Sequence, residues 1–213
     1  MKHPSPKYTY RLLRRAELPV DTEALARWLL GKTLVHDSAR GRLSGRIVET
    51  EAYVVGDAAA HSFRGQTPRN QSLFLERGHA YVYFIYGNWF SINVSAETPG
   101  VGAGVLLRAL EPLEGFEHMQ RQRPDVKPTD LTRGPGRVAS AMGIDRRFDG
   151  LDLCQRGPLW LAAAVRHRRA PVVMGASTRI GLSKEAHRIL RFFEKGNPWV
   201  SGPKKLNAAG RAP

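Results

Sequence analysis

The run GRIVETEAY, residues 45–53, carries two glutamates and a tyrosine at every second position. Read as a strand, it puts Ile47, Glu49, Glu51 and Tyr53 on one face and Val48, Thr50 and Ala52 on the other. Carboxylates are uncommon on a face that also carries Ile and Tyr unless it borders water or a cleft. A carboxylate in a cleft can act as the general base that deprotonates a water. An edge strand with solvated glutamates fits the same pattern. Alternation chooses neither between these readings nor between Glu49 and Glu51.

Further along, HAYVYFIYGNWFSINVSA (79–96) reads as two strands joined by a tight turn at Tyr86-Gly87-Asn88-Trp89. Gly87 and Asn88 tolerate the positive φ that a hairpin turn requires. Tyr86 and Trp89 then lie at or beside a protruding tip. An aromatic side chain there can wedge into a duplex and hold open the gap left by an extruded base, or it can fold back onto the sheet. Tyr81 and Tyr83 share a face one rung apart, either as a stacking wall or as core. His61 lies in a polar loop ending at Arg69-Asn70, where its imidazole could hydrogen-bond a base edge or simply meet solvent. The other histidines are scattered, without metal-ligand spacing, so no catalytic metal and no cofactor are expected.

The elements that must position these residues follow from patterning. Asp21 caps a helix running to Leu30, stopped by Gly31. From Gly31 to Leu110 the chain reads as strands: KTLVH, GRIVETEAY, the two hairpin strands and GVLLRAL. Residues 111–124 read as a polar helix, LTRGPGRVASAMGI as a Gly/Pro turn feeding a short helix, and the last third as strands again. The turn at Thr132–Arg137 could grip a phosphate through backbone amides or merely start its helix. Strands mixed with separated helices predict an α+β fold: a single compact domain with a curved, mainly antiparallel sheet, flanking helices and a protruding β-hairpin. Residues 1–10 and 203–213 read as flexible basic arms around a domain spanning 11–202.

The 213 residues hold 33 Lys+Arg against 19 Asp+Glu, a net charge of +14. Such an excess favours a polyanionic partner, because every neutralised phosphate releases counterions. An arginine-rich proteome produces the same excess, and charge does not separate DNA from RNA. The lone Cys154 excludes an intrachain disulfide and reads as a packed thiol. No apolar stretch approaches a membrane span, and the first residues lack a signal peptide's apolar run. The expectation is a soluble cytoplasmic protein, nucleoid-associated if bacterial.

Five segments in order, RIVETEAYVVGDAAAHSFRGQTPRN, YVYFIYGNWFSINV, GVLLRALEPLEG, LTRGPGRVASAMGI and GNPWVS, resemble the alkyladenine (3-methyladenine) DNA glycosylase family. The resemblance spans roughly residues 10–202. It implies that Glu51 is the general base for the attacking water, with Arg108 holding water and carboxylate and Glu49 in support. It implies that Tyr53, His61 and Tyr83 sandwich and hydrogen-bond a flipped base, that Asn93 excludes the guanine 2-amino group, and that Tyr86 fills the vacated stack. The implied reaction is hydrolysis of the N-glycosidic bond of 3-methyladenine or 7-methylguanine in double-stranded DNA. It extends to deaminated and etheno purines if a residue, not evident in the sequence, hydrogen-bonds the leaving base. No lysine lies in the matched motifs, so a monofunctional enzyme leaving an abasic site is expected. One active site per extruded base suits a monomer without an obligate protein partner. Two other classes compete: a non-catalytic binder of damaged DNA, and an RNA-directed protein like the tRNA-binding part of formyltransferases.

Overall fold

The strand that carries Glu49 and Glu51 organises the molecule. In the computed structural model, which describes residues 8–85, 87, 89–164 and 173–208, the chain begins with β1 (Tyr10–Leu12), α1 (Thr22–Leu29), β2 (Thr33–Ser38) and β3 (Gly41–Tyr53). Then come β4 (Ala80–Ile85), β5 (Trp89–Ser95), β6 (Gly104–Glu114), α2 (Phe116–Gln122) and α3 (Pro135–Met142). The last part holds β7 (Leu159–Ala164), β8 (Met174–Ser177), β9 (Arg191–Glu194) and α4 (Lys204–Ala208). The strands form one antiparallel sheet in the order β1-β7-β2-β3-β6-β5-β4, with β9 beside the second half of β3 and β8 beyond it. The fold is α+β with a mainly antiparallel sheet, as the patterning predicts.

Residues Leu43–Ala52 of β3 are buried without a break. The strand pairs with β2 along Gly41–Arg46, with β9 along Glu49–Glu51, and with β6 along Ser44–Tyr53. It is therefore interior, and the edge-strand reading of its glutamates is excluded. A helix covers one face: Leu25, Ala26 and Leu29 of α1 are fully buried, and Thr50 Oγ1 donates to the Ala26 carbonyl at 2.9 Å. Each such leucine contributes about 1.5–3 kcal/mol of hydrophobic stabilisation. As expected, α1 starts at Asp21, whose Oδ1 accepts from Ala24 N at 2.7 Å, and ends before Gly31 at φ 80°.

Three segments differ from the sequence reading. The helix expected over 111–124 is confined to α2, because pairing with β3 carries β6 on through Glu111, Pro112 and Glu114. Gly115, at φ 76°, makes the switch; a Cβ there would collide with Leu43 and the Arg42 carbonyl. Cross-strand pairing thus overrides the local helical preference of these polar residues. At the other end, the stretch from 203 read as a flexible arm contains α4, and Asn207 Oδ1 accepts from Arg191 on β9 at 2.7 Å. Tyr10, placed by the sequence reading in the first arm, is buried at the start of β1.

Candidate active site

The second half of β3 lies at the centre of one row of side chains. Arg191 on β9, Glu51, Leu106 on β6, Asn93 on β5 and Tyr81 on β4 are successive cross-strand partners. Directly paired residues point to the same side of a sheet, so the register gathers residues that are far apart in sequence. Pairing between β3 and β6 shifts on both sides of Glu49, leaving Arg108 without a ladder partner. Such irregularities re-aim side chains, and the Arg108 guanidinium reaches both carboxylates, with Nε 3.2 Å from Glu49 Oε1 and a terminal nitrogen 3.4 Å from Glu51 Oε1.

Both glutamates are fully buried, but their surroundings differ. Glu49 accepts from Arg191 Nε at 2.6 Å, from Ser201 N at 2.7 Å and from Ser201 Oγ at 3.0 Å, besides facing Arg108. Glu51 accepts from the Tyr53 hydroxyl at 3.0 Å and from Ile180 N at 2.8 Å. A carboxylate offers about four lone-pair sites. Glu49 takes four donors, three of them on Oε1, whereas Glu51 takes three, and its Oε2, which accepts only from Tyr53, has room for a further proton donor such as water. Burial raises the Glu51 pKa above the usual carboxylate value, against the pull of Arg108 and the Ile180 amide.

Glu51 lies one layer behind a cleft of about 710 Å³. Its three partners Tyr53, Arg108 and Ile180 all line that cleft, together with His61, Tyr81, Tyr83 and Asn93. Tyr81 and Tyr83 stack at 5.2 Å, and the His61 ring meets Tyr83 edge-on at 4.4 Å. His61 Nδ1 is 2.9 Å from the Tyr81 hydroxyl. Burial, then the charge of Arg69, lowers the His61 pKa, which favours a neutral imidazole. On the other side, the Arg179 guanidinium stacks 4.6 Å from the Tyr53 ring centre, held by the buried Asp57 carboxylate and by the Ala52 carbonyl at 3.0 Å. Arg69, Arg133 and Arg137 add positive charge to the lining. The arrangement offers aromatic walls for a flat ligand, a basic surround for an anionic chain, and a carboxylate held ready behind the wall.

A family model for methylpurine-DNA glycosylase matches residues 16–198. The chain belongs to the methylpurine-DNA glycosylase family. A protein of Mesorhizobium japonicum is 61% identical over 194 residues, 91% of this chain and 92% of its own length. The DNA-3-methyladenine glycosylase of Mus musculus is 45% identical over 192 residues, covering 83% of this chain and 57% of its own. That of Homo sapiens is 44% identical over 192 residues, 83% and 63% of the two chains. The family resemblance read from the sequence motifs is thus established.

Within this glycosylase framework, the structure brings together Glu51, Arg108, Tyr53, His61, Tyr83 and Asn93. Tyr86, expected to fill a vacated stack, lies outside the described residues. Gly87 takes φ 75°, in keeping with the hairpin turn. Trp89 is folded back rather than displayed: its ring lies under the Arg123 guanidinium at 5.3 Å and its Cβ against Gly136. The sequence reading missed Asp57, Arg179, Ile180, Arg191 and Ser201, which reach the site from loops and from a short late strand. Of these, Asp57 and Ser201 lie inside matched motifs, while no local pattern in the sequence points to Arg179, Ile180 or Arg191. Among the described residues no His, Cys, Asp or Glu cluster is arranged to hold a metal ion, and no helix is long and apolar enough to cross a membrane.

Proposed function

We propose that this chain excises damaged purines from double-stranded DNA, with Glu51 activating the water that replaces the base. The observation that carries the reading is the Glu51 carboxylate, fully buried behind an aromatic cleft and joined to three of its lining groups, in a chain of this family. A base inside a duplex is unreachable, so the nucleotide must be extruded, at a cost of a few kcal/mol that is smaller for damaged, weakly paired bases. The flipped purine stacks between Tyr53 and the Tyr83–His61 wall, with Asn93 against the guanine 2-amino group and Tyr86 filling the gap in the duplex. For cationic N3- or N7-alkylated purines, each ring adds a cation–π attraction of about 0.5–2 kcal/mol.

The water oxygen bonds to C1′ as the C1′–N9 bond breaks. The purine departs with the bonding pair, and the water's proton passes to Glu51, whose charge also stabilises the oxocarbenium-like sugar. An alkylated purine leaves as a neutral base, so 3-methyladenine and 7-methylguanine are the primary substrates. Hypoxanthine and ethenoadenine leave only with a proton or hydrogen bond on the base. Arg108 binds Glu51 and the water from the cleft side. The protein acts as a monomer on damaged duplex DNA in the cytoplasm, at the nucleoid if it is bacterial.

The test is incubation with duplexes carrying one 7-methylguanine or one hypoxanthine, without added metal. The expected products are free base and an intact strand that breaks only on alkali treatment, at the abasic site. Binding without base release would favour the non-catalytic damage binder, and strand cleavage without alkali would refute the monofunctional assignment.

A further inference from the structure

Ser91 lines the cleft from β5, opposite Tyr83 on β4 and two residues before Asn93. Its side chain is fully buried, and its hydroxyl has no hydrogen-bond partner. Folded proteins rarely leave a buried hydroxyl unpaired, because its water is lost without replacement. In the wall of a ligand cleft, such an atom marks a place for a ligand atom. Neighbouring polar groups are already engaged: Asn93 Nδ2 donates to the Tyr81 carbonyl at 3.3 Å, and the Tyr81 hydroxyl is 2.9 Å from His61 Nδ1.

The position of Ser91 identifies which part of a ligand it meets. Glu51 is on β3 and Ser91 on β5, two strands across the sheet through β6. Ser91 also lies two residues along β5 from Asn93, the residue in register with Glu51, so at about 4.8 Å per strand and 3.3 Å per residue the separation is roughly 12 Å. A purine whose glycosidic nitrogen is held on the Glu51 side therefore turns its six-membered ring toward β5. A hydroxyl both donates and accepts, and can pair with a substituent or ring nitrogen on that edge.

We propose that Ser91 is a specificity-determining residue whose hydroxyl hydrogen-bonds the six-membered-ring edge of a flipped purine, and that this bond counts most for neutral purines carrying a polar substituent at C6, the 6-oxo group of hypoxanthine among them. The inference rests on the glycosylase reading above. A neutral deaminated purine gains no cation–π attraction from the tyrosines, so a hydrogen bond at its far edge weighs more in its recognition than in that of an alkylated cation.

The test compares single-turnover base release by wild type and Ser91→Ala from duplexes carrying hypoxanthine or unsubstituted purine at one position. A 7-methylguanine duplex and thermal melting of both proteins accompany it. The wild-type preference for hypoxanthine over unsubstituted purine should fall about two- to tenfold in Ser91→Ala, the worth of one net hydrogen bond. Because the lost hydroxyl has no partner in the protein, Ser91→Ala should melt no lower than wild type. An unchanged preference overturns the proposal. So does a markedly lower melting temperature, which would mark a structural hydroxyl, or a wild type that releases 7-methylguanine but never hypoxanthine. Release of none of the three bases would instead refute the glycosylase reading itself.

Discussion

Two glutamates two residues apart have become chemically distinct through their partners. Glu49 accepts from Arg191 and from both donors of Ser201 and faces Arg108, four partners in all. Glu51 has fewer donors and a pKa raised chiefly by burial. A general base must be ionised, so activity should fall as pH drops through this raised value. The acid limb of the single-turnover pH profile is expected above 4.5, the ordinary carboxylate value, and an acid limb at or below it would contradict the assignment. Linkage has the same sign: the folded state prefers protonated Glu51, so its support for folding is full below the ordinary carboxylate pKa and lost as pH rises through the raised one. Glu51→Gln should therefore melt above wild type at neutral pH, and a lower melting temperature would contradict this sign. Alternation grouped Glu49, Glu51 and Tyr53 on one face, but it misplaced Ile47 and Val48, because pairing shifts between Ile47 and Glu49 and Ile47 packs with Ala52 while Val48 packs with Ala109 and Phe193. It was blind to which was base and which support, because that difference comes from Arg191, Ser201 and Ile180, more than a hundred residues away.

At the scale of elements, the site depends on β9 taking over from β2 as the neighbour of β3 at Glu49. That exchange inserts Arg191 beneath the carboxylates and links them to α4. Arg191 donates to Asn207 Oδ1 at 2.7 Å and to the Ser201 carbonyl at 2.9 Å, and Asn207 Nδ2 donates to the same carbonyl at 3.2 Å. A segment that looks like a featureless basic tail thus steadies the Glu49–Arg108–Glu51 series. Asn207→Ala should slow base release severalfold and cost about 1 kcal/mol of stability, with duplex affinity unchanged, while Asn207→Asp should restore the rate. A wild-type rate for Asn207→Ala would leave α4 without influence on the site. Such a role was illegible in PKKLNAAG, where no periodicity or cap signal points to a distant partner. The strands β2 to β5, most of β6 and α1 were legible because each has a local pattern, apolar alternation or an Asp cap with a Gly stop, whereas β1 was not. The 111–124 segment misled for the converse reason: its polar residues suit a helix, and only the long register with β3 makes the first four a strand.

Over the whole molecule, one antiparallel sheet carries the carboxylates at its centre, the tyrosines toward the β4 edge and the arginines in the flanking loops and strands. Its net charge of +14 suits a phosphate backbone, while the aromatic cleft suits a single base lifted out of it. The family was legible in five ordered motifs, and the matched span of 16–198 agrees with the extent of the resemblance. The cleft's supporting shell was not, because it is assembled from loops that only the fold brings together. In the proposed mechanism one buried carboxylate turns a base-binding cleft into a hydrolase. The most direct measurement is single-turnover release of 7-methylguanine by wild type and Glu51→Gln, with affinity for the same duplex measured in parallel. Release should disappear in Glu51→Gln while affinity stays within a few-fold of wild type. Release by Glu51→Gln at a rate near wild type would contradict Glu51 as the base, and loss of affinity together with release would assign this residue to folding rather than to chemistry.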